Sequence, residues 1–120
     1  MVIIEEKVDY ELEEMATLRK SRSGLPVNLW LDDSMAYKRS GHAYRIKFQP
    51  DKGERPITRS MVPMTIEDDP KIMGNNPKIN LSNDDINKVK AFVIANKNLL
   101  LALSDMKIDF IDFVAKMTKV

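Results

Sequence analysis

The stretch from Ser82 to Leu103, SNDDINKVKAFVIANKNLLLAL, constrains the fold more than any other part of the chain. Ile86, Val89, Phe92, Val93, Leu100 and Leu103 recur at steps of three, four and seven, which places them on one stripe of an α-helix. Ser82 can accept hydrogen bonds from the first-turn amides, and Asp84 and Asp85 put negative charge at the positive end of the helix dipole. A stripe of that width must be buried, and a chain of 120 residues has room for one domain around it.

The elements that would cover the stripe precede it. In LPVNLWLD, residues 25–32, Val27, Leu29 and Leu31 fall on one face and Asn28, Trp30 and Asp32 on the other, the alternation of a strand whose start Pro26 confines to an edge or first position. HAYRIKFQ, residues 42–49, is the clearest strand: Tyr44, Ile46 and Phe48 share the core face, while Ala43, Arg45 and Lys47 face water. Residues 50–60, PDKGERPITRS, are turn chemistry throughout and predict a mobile hairpin tip. A third short strand, Met61 to Ile66, alternates Val62, Met64 and Ile66, and Pro63 places it at an edge. A loop over residues 67–81 leads into the long helix. Ser104 and Asp105 then offer a new cap, which predicts a break and a second helix from Ile108 to Met117 with Ile108, Ile111, Phe113, Val114 and Met117 as its apolar set. The expected fold is α+β, a small antiparallel sheet of three to four strands packed against C-terminal helices.

Charge is unevenly distributed. Residues 1–14 carry six acids and one lysine, residues 15–60 ten basic and four acidic residues, and residues 61–120 eight of each. The first block reads as an acidic N-terminal extension supplied by an upstream start, with the folded domain, residues 15–120, beginning near Met15. Absence of cysteine excludes disulfide and thiolate chemistry, and a single histidine excludes multi-histidine metal sites. No apolar run approaches the roughly 20 residues needed to cross a bilayer, and the acidic start is unlike a basic secretory leader. A cytoplasmic protein with no membrane partner is expected.

The basic block holds the residues with most functional content. Arg19, Lys20, Arg22, Lys38, Arg39, Arg45, Lys47, Arg55 and Arg59 predict a nucleic-acid-binding surface if loop residues gather around Arg45 and Lys47, with Trp30 and Tyr37 as stacking platforms. The plainer account is that a solvated sheet face needs charge and that basic edge residues oppose aggregation. His42, beside Tyr44 and Arg45, is a candidate acid or base for a metal-independent ribonuclease; as a surface residue following a glycine turn it needs no such role. The acidic runs at 32–33, 67–69 and 84–85 can attract a divalent cation, but adjacent side chains diverge and the last pair has a capping role, so no metal or other cofactor is expected. Met61, Met64 and Met73 fit core gaps.

SGHAYRIKF and, after a loop, LSNDDINKVKAFVIANKNLLLAL resemble a family of small uncharacterised bacterial proteins, a domain of unknown function found in mobile elements and toxin–antitoxin-like gene pairs. Gly41 and His42 match its strand start and Asn96, Leu99 and Leu100 its helix end, whereas Tyr44 replaces the family's second histidine. The resemblance implies no known activity. The expected function is a non-catalytic binding module that contacts nucleic acid or a cognate protein through a basic sheet face. The alternatives are a protein-interaction or homo-oligomeric assembly subunit, pairing through the Met61–Ile66 edge or the Phe110–Met117 helix end, and the His42 ribonuclease.

Overall fold

The computed structural model of the chain describes residues 17–31, 44–55, 60–74 and 77–120. The proposed extension over residues 1–14 and the candidates Tyr37, Lys38, Arg39, His42 and Arg59 lie outside the described residues. Within them the fold is α+β. Strands β1 (Thr17–Leu18), β2 (Leu29–Trp30), β3 (Arg45–Phe48) and β4 (Val62–Thr65) form an antiparallel sheet in sequential order. A helical turn, α1 (Lys20–Ser23), links β1 to β2, and α2 (Asn83–Ala95), α3 (Lys97–Ser104) and α4 (Phe110–Lys116) follow the sheet.

Register sorts the side chains. Leu18 pairs with Leu29, Leu29 with Phe48, and Phe48 with Val62, so one row of apolar side chains crosses all four strands, flanked by the Ile46–Met64 pair. All six are buried, and Val89, Phe92, Val93, Leu100, Leu103 and Phe113 from the helices complete the same core cluster. Phe92 and Phe113 meet edge to face with ring centroids 6.4 Å apart, a geometry that aligns the positive ring edge with the negative face.

Ser82 caps α2 as its sequence implies. Its hydroxyl accepts the Asp85 N–H at 3.1 Å while the Asp85 carboxylate accepts the Ser82 N–H at 3.4 Å, a reciprocal capping box. The expected single rod to Leu103 is two helices, however, because Asn96 leaves the helical region at φ −113° and ψ 17°. The buried Asn96 side chain donates to the carbonyls of Phe92 and Thr118 and accepts the Thr118 N–H at 2.7 Å, clasping the C-terminal segment.

The second break falls after Ser104 as expected, but another residue caps the next helix. Asp109, reciprocated by Asp112, forms the box of α4. Ser104 instead donates to the Leu100 carbonyl, and Asp105 ends α3 and accepts the Tyr44 hydroxyl at 2.7 Å, tying the start of β3 to the helical layer. In α4, Phe113 is buried but Ile111 is 70% exposed, so Ile111 leaves the expected core set and Phe110 joins it.

Two loops also depart from expectation. Asn28, assigned by alternation to the solvent face, is buried; its Oδ1 accepts the Lys20 N–H at 2.8 Å, capping α1 from a distance, and its amide donates to Gln49 and the carbonyls of Gly53 and Glu54. Gln49, also buried, donates to Asp51 and the Arg55 carbonyl, so residues 50–55 of the expected tip are held from beneath, while 56–59 lie outside the described residues. Beyond β4, Thr65 N–H donates to Lys71 O and Met73 N–H to Pro63 O, and Met64 bridges Ile72. The Met61–Ile66 edge, expected to be open to another chain, is therefore partly covered by its own return segment, which is how sheets blunt an edge. Met61 and Met64 are buried.

Candidate nucleic-acid interface

The antiparallel pairs that align the core row align a second row on the opposite face. Thr17 pairs with Trp30, Trp30 with Lys47, and Lys47 with Pro63, while Arg45 pairs with Thr65. Directly opposed side chains in an antiparallel pair lie on one face, with Cβ atoms about 5 Å apart. The tryptophan, the chain's only one, therefore stands beside Lys47 on the face away from the core. This juxtaposition depends on the β2–β3 register, because a slip by one residue would turn the whole set inward.

Trp30, Arg45 and Lys47 are each half-buried, where alternation predicts a fully solvated face. Arg45 carries its Nε out of contact with solvent. Lys47 lies between Trp30 and Pro63, and its aliphatic stem can run along them while the ammonium reaches water. Half-burial limits the surface but also restrains these side chains, so less rotamer freedom is lost on binding.

The other basic candidates do not collect around this pair. Lys20 turns to the loop below, donating to the Lys52 carbonyl at 2.7 Å and meeting Glu54 at 2.8 Å. Arg55 is exposed at the end of that loop, where its carbonyl accepts from Gln49. Arg19 and Arg22 are exposed on either side of the start of α1 and line a groove of about 500 Å³ together with Thr17 and, from α4, Phe110, Ile111 and Val114. The basic residues of the described chain thus form a sheet-face pair, an arginine-rimmed groove and a loop group.

Near the loop group two carboxyls are perturbed. Burial pushes Asp85 up, but the hydrogen bond from Lys52, 3.2 Å away, and those from the Ser82 side chain and backbone outweigh it and hold the carboxyl below its ordinary value. The Gly53 N–H and then the Gln49 side chain hold Asp51 down in the same direction. Both carboxylates are occupied in shaping the loop and helix cap. Among the described residues no three carboxylate or histidine side chains converge in a way that could hold a metal ion, and no helix is long and apolar enough to cross a membrane.

Asn28 and Gln49 are the polar residues that the alternation pattern missed. Each reads in sequence as an ordinary strand or strand-end residue; Asn28 takes its importance from partners 8 to 26 positions away, and Gln49 from Asn28, 21 positions back, together with the loop two to six positions ahead. No family model, curated protein or solved structure matches this chain.

Proposed function

We propose that the protein is a non-catalytic binding module that engages single-stranded nucleic acid with the outer face of its sheet. The reading is supported above all by the cross-strand pairing of Trp30 with Lys47, flanked by Arg45 on β3. An indole beside a cation offers a stacking platform and a phosphate contact at adjacent positions, the two elements that sequence-tolerant single-strand binders combine. Stacking is worth about 1–3 kcal/mol per base, and phosphate neutralisation adds affinity that falls as salt rises. The mobile-element or toxin–antitoxin-like setting implied by the sequence resemblance fits such a module in a cytoplasmic protein.

The single tryptophan makes the test direct. Titrating short single-stranded RNA and DNA into the protein should quench Trp30 fluorescence, with affinity falling steeply between low and physiological salt. Trp30→Ala should weaken binding by about tenfold or more, measured by anisotropy of a labelled oligonucleotide, and Lys47→Ala should reduce the salt dependence by about one phosphate contact. Absence of binding at micromolar protein, or binding indifferent to salt and to both substitutions, would remove the reading.

A further inference from the structure

Beneath residues 52–55, side-chain donors gather the carbonyls of four successive residues. Lys20 Nζ donates to Lys52 O at 2.7 Å, Asn28 Nδ2 to Gly53 O at 3.3 Å and Glu54 O at 3.1 Å, and Gln49 Nε2 to Arg55 O at 3.2 Å. Asn28 and Gln49 are 0% and 1% exposed and bond each other at 3.0 Å, so the two amides are fixed in the interior and fix the loop above them. Gly53 is required by the same geometry, because a Cβ there would lie 2.9 Å from Asp51 Oδ1 and 3.1 Å from Gln49 Nε2.

A trans peptide points its N–H opposite to its C=O. With the Gly53 and Glu54 carbonyls turned inward to Asn28, the N–H groups of Glu54 and Arg55 face outward, and neither makes a hydrogen bond among the described residues. Both residues are exposed. The acids nearby are already committed: Glu54 meets Lys20 at 2.8 Å, Asp85 meets Lys52 at 3.2 Å, and Asp51 accepts from the Gly53 N–H at 2.8 Å and from Gln49 at 2.9 Å. Arg55 makes no ion pair among the described residues, so its guanidinium is available beside the two amides.

We infer that the 52–55 loop is a phosphate-binding site, in which the Glu54 and Arg55 N–H groups and the Arg55 guanidinium each take oxygens of one phosphate group. Successive outward amides with a cation beside them are the donors that bind anions at backbone sites. Fixing the carbonyl side of the loop holds its amide side in one orientation before a ligand arrives, which lowers the ordering cost of binding. A phosphate monoester offers three oxygens to these donors, whereas the two oxygens of a carboxylate would be taken up by the guanidinium fork alone. The site uses neither Trp30 nor Lys47, so it stands or falls independently of the sheet face. Its phosphate is either free or the terminal phosphate of a nucleotide chain, and the test separates the two.

The test is a titration of the full chain with inorganic phosphate at ionic strength held constant with sodium chloride, followed by the amide resonances of the nitrogen-15-labelled protein. The Glu54 and Arg55 amides should shift saturably, with Trp30 fluorescence unchanged. Arg55→Gln, at an exposed position, should retain the parent's melting temperature and weaken phosphate binding by about tenfold or more. Gly53→Ala, which displaces the loop and keeps the arginine, should weaken it in the same direction. A second arm compares a dinucleotide with and without a 5′-phosphate. At least about tenfold tighter binding of the phosphorylated form than of inorganic phosphate supports the site and assigns it to a chain terminus; equal affinity supports it as a site for free phosphate. No saturable shift at Glu54 and Arg55, the same response to chloride, or binding indifferent to Arg55→Gln would overturn the proposal.

Discussion

Two buried amides, Asn28 and Gln49, hold more of the loop chemistry than the charges above them. The Lys20–Glu54 ion pair there has an exposed partner, Glu54 at 86%, and such a surface pair contributes at most about 1 kcal/mol. Asn28, itself fully buried, instead bonds one amide and three acceptors, and truncating it removes all four bonds and leaves the buried Gln49 Oε1 without that donor. Asn28→Ala should therefore cost about 1–3 kcal/mol in urea unfolding, well above Glu54→Ala, and a smaller or equal effect would show that the loop does not depend on the amide. The carboxylates beside this network set the acid limb of stability. Asp51 and Asp85 have folded values below their unfolded ones, so their contribution is complete above the unfolded carboxylate range and is lost as pH falls through the folded values. The stability advantage of the parent over Asp51→Asn and Asp85→Asn should shrink as melting temperature is followed from neutral pH downward. A constant difference would break this link.

At the scale of elements, the helical layer shows which signals local sequence carries. Caps made by near neighbours were readable for α2, whose Ser82 and Asp85 stand three residues apart, and the apolar stripe of α2 and α3 faces the core as its spacing implies. The stop of α3 was readable in place but not in mechanism. Met106 takes φ 60°, its N–H donates to Leu103 O, and Lys107 N–H donates to Ala102 O, the paired bonds of a Schellman ending usually built with glycine. A methionine there bears the steric cost of the left-handed region. Met106→Gly should raise stability by about 1 kcal/mol, read as a higher urea midpoint at unchanged m-value, and a loss would show that the exposed Met106 side chain contributes packing that outweighs the backbone strain. In α4 one member of the expected set is misplaced: Ile111, two positions before Phe113 and so nearly opposite it on the helix, is exposed, whereas Phe110, three positions before Phe113, joins Ile108, Val114 and Met117 against the core.

For the molecule as a whole, sheet and helices share one apolar cluster, and the two clasps, Tyr44 to Asp105 and Asn96 to Thr118, join segments 61 and 22 residues apart. Such a structure should unfold as a unit. Leu100→Ala should cost about 2–5 kcal/mol, and its transition followed by far-ultraviolet circular dichroism, which reports the helices, should coincide with that followed by Trp30 fluorescence, which reports the sheet. Separate transitions would show two weakly coupled layers.

Sequence alone determined the fold class, the core faces of the strands, the long C-terminal stripe and the break after Ser104, but not the break at Asn96, because the first four rest on periodicity and local chain chemistry. It also placed Arg45 and Lys47 together on one strand face. Tertiary structure decided the rest: the pairing that sets Trp30 against Lys47, the dispersal of the other described cations to a groove and a loop, the burial of Asn28 and Gln49, and the covering of the β4 edge. Each depends on contacts between distant segments, and a local pattern specifies which face a residue occupies without specifying what will lie across from it.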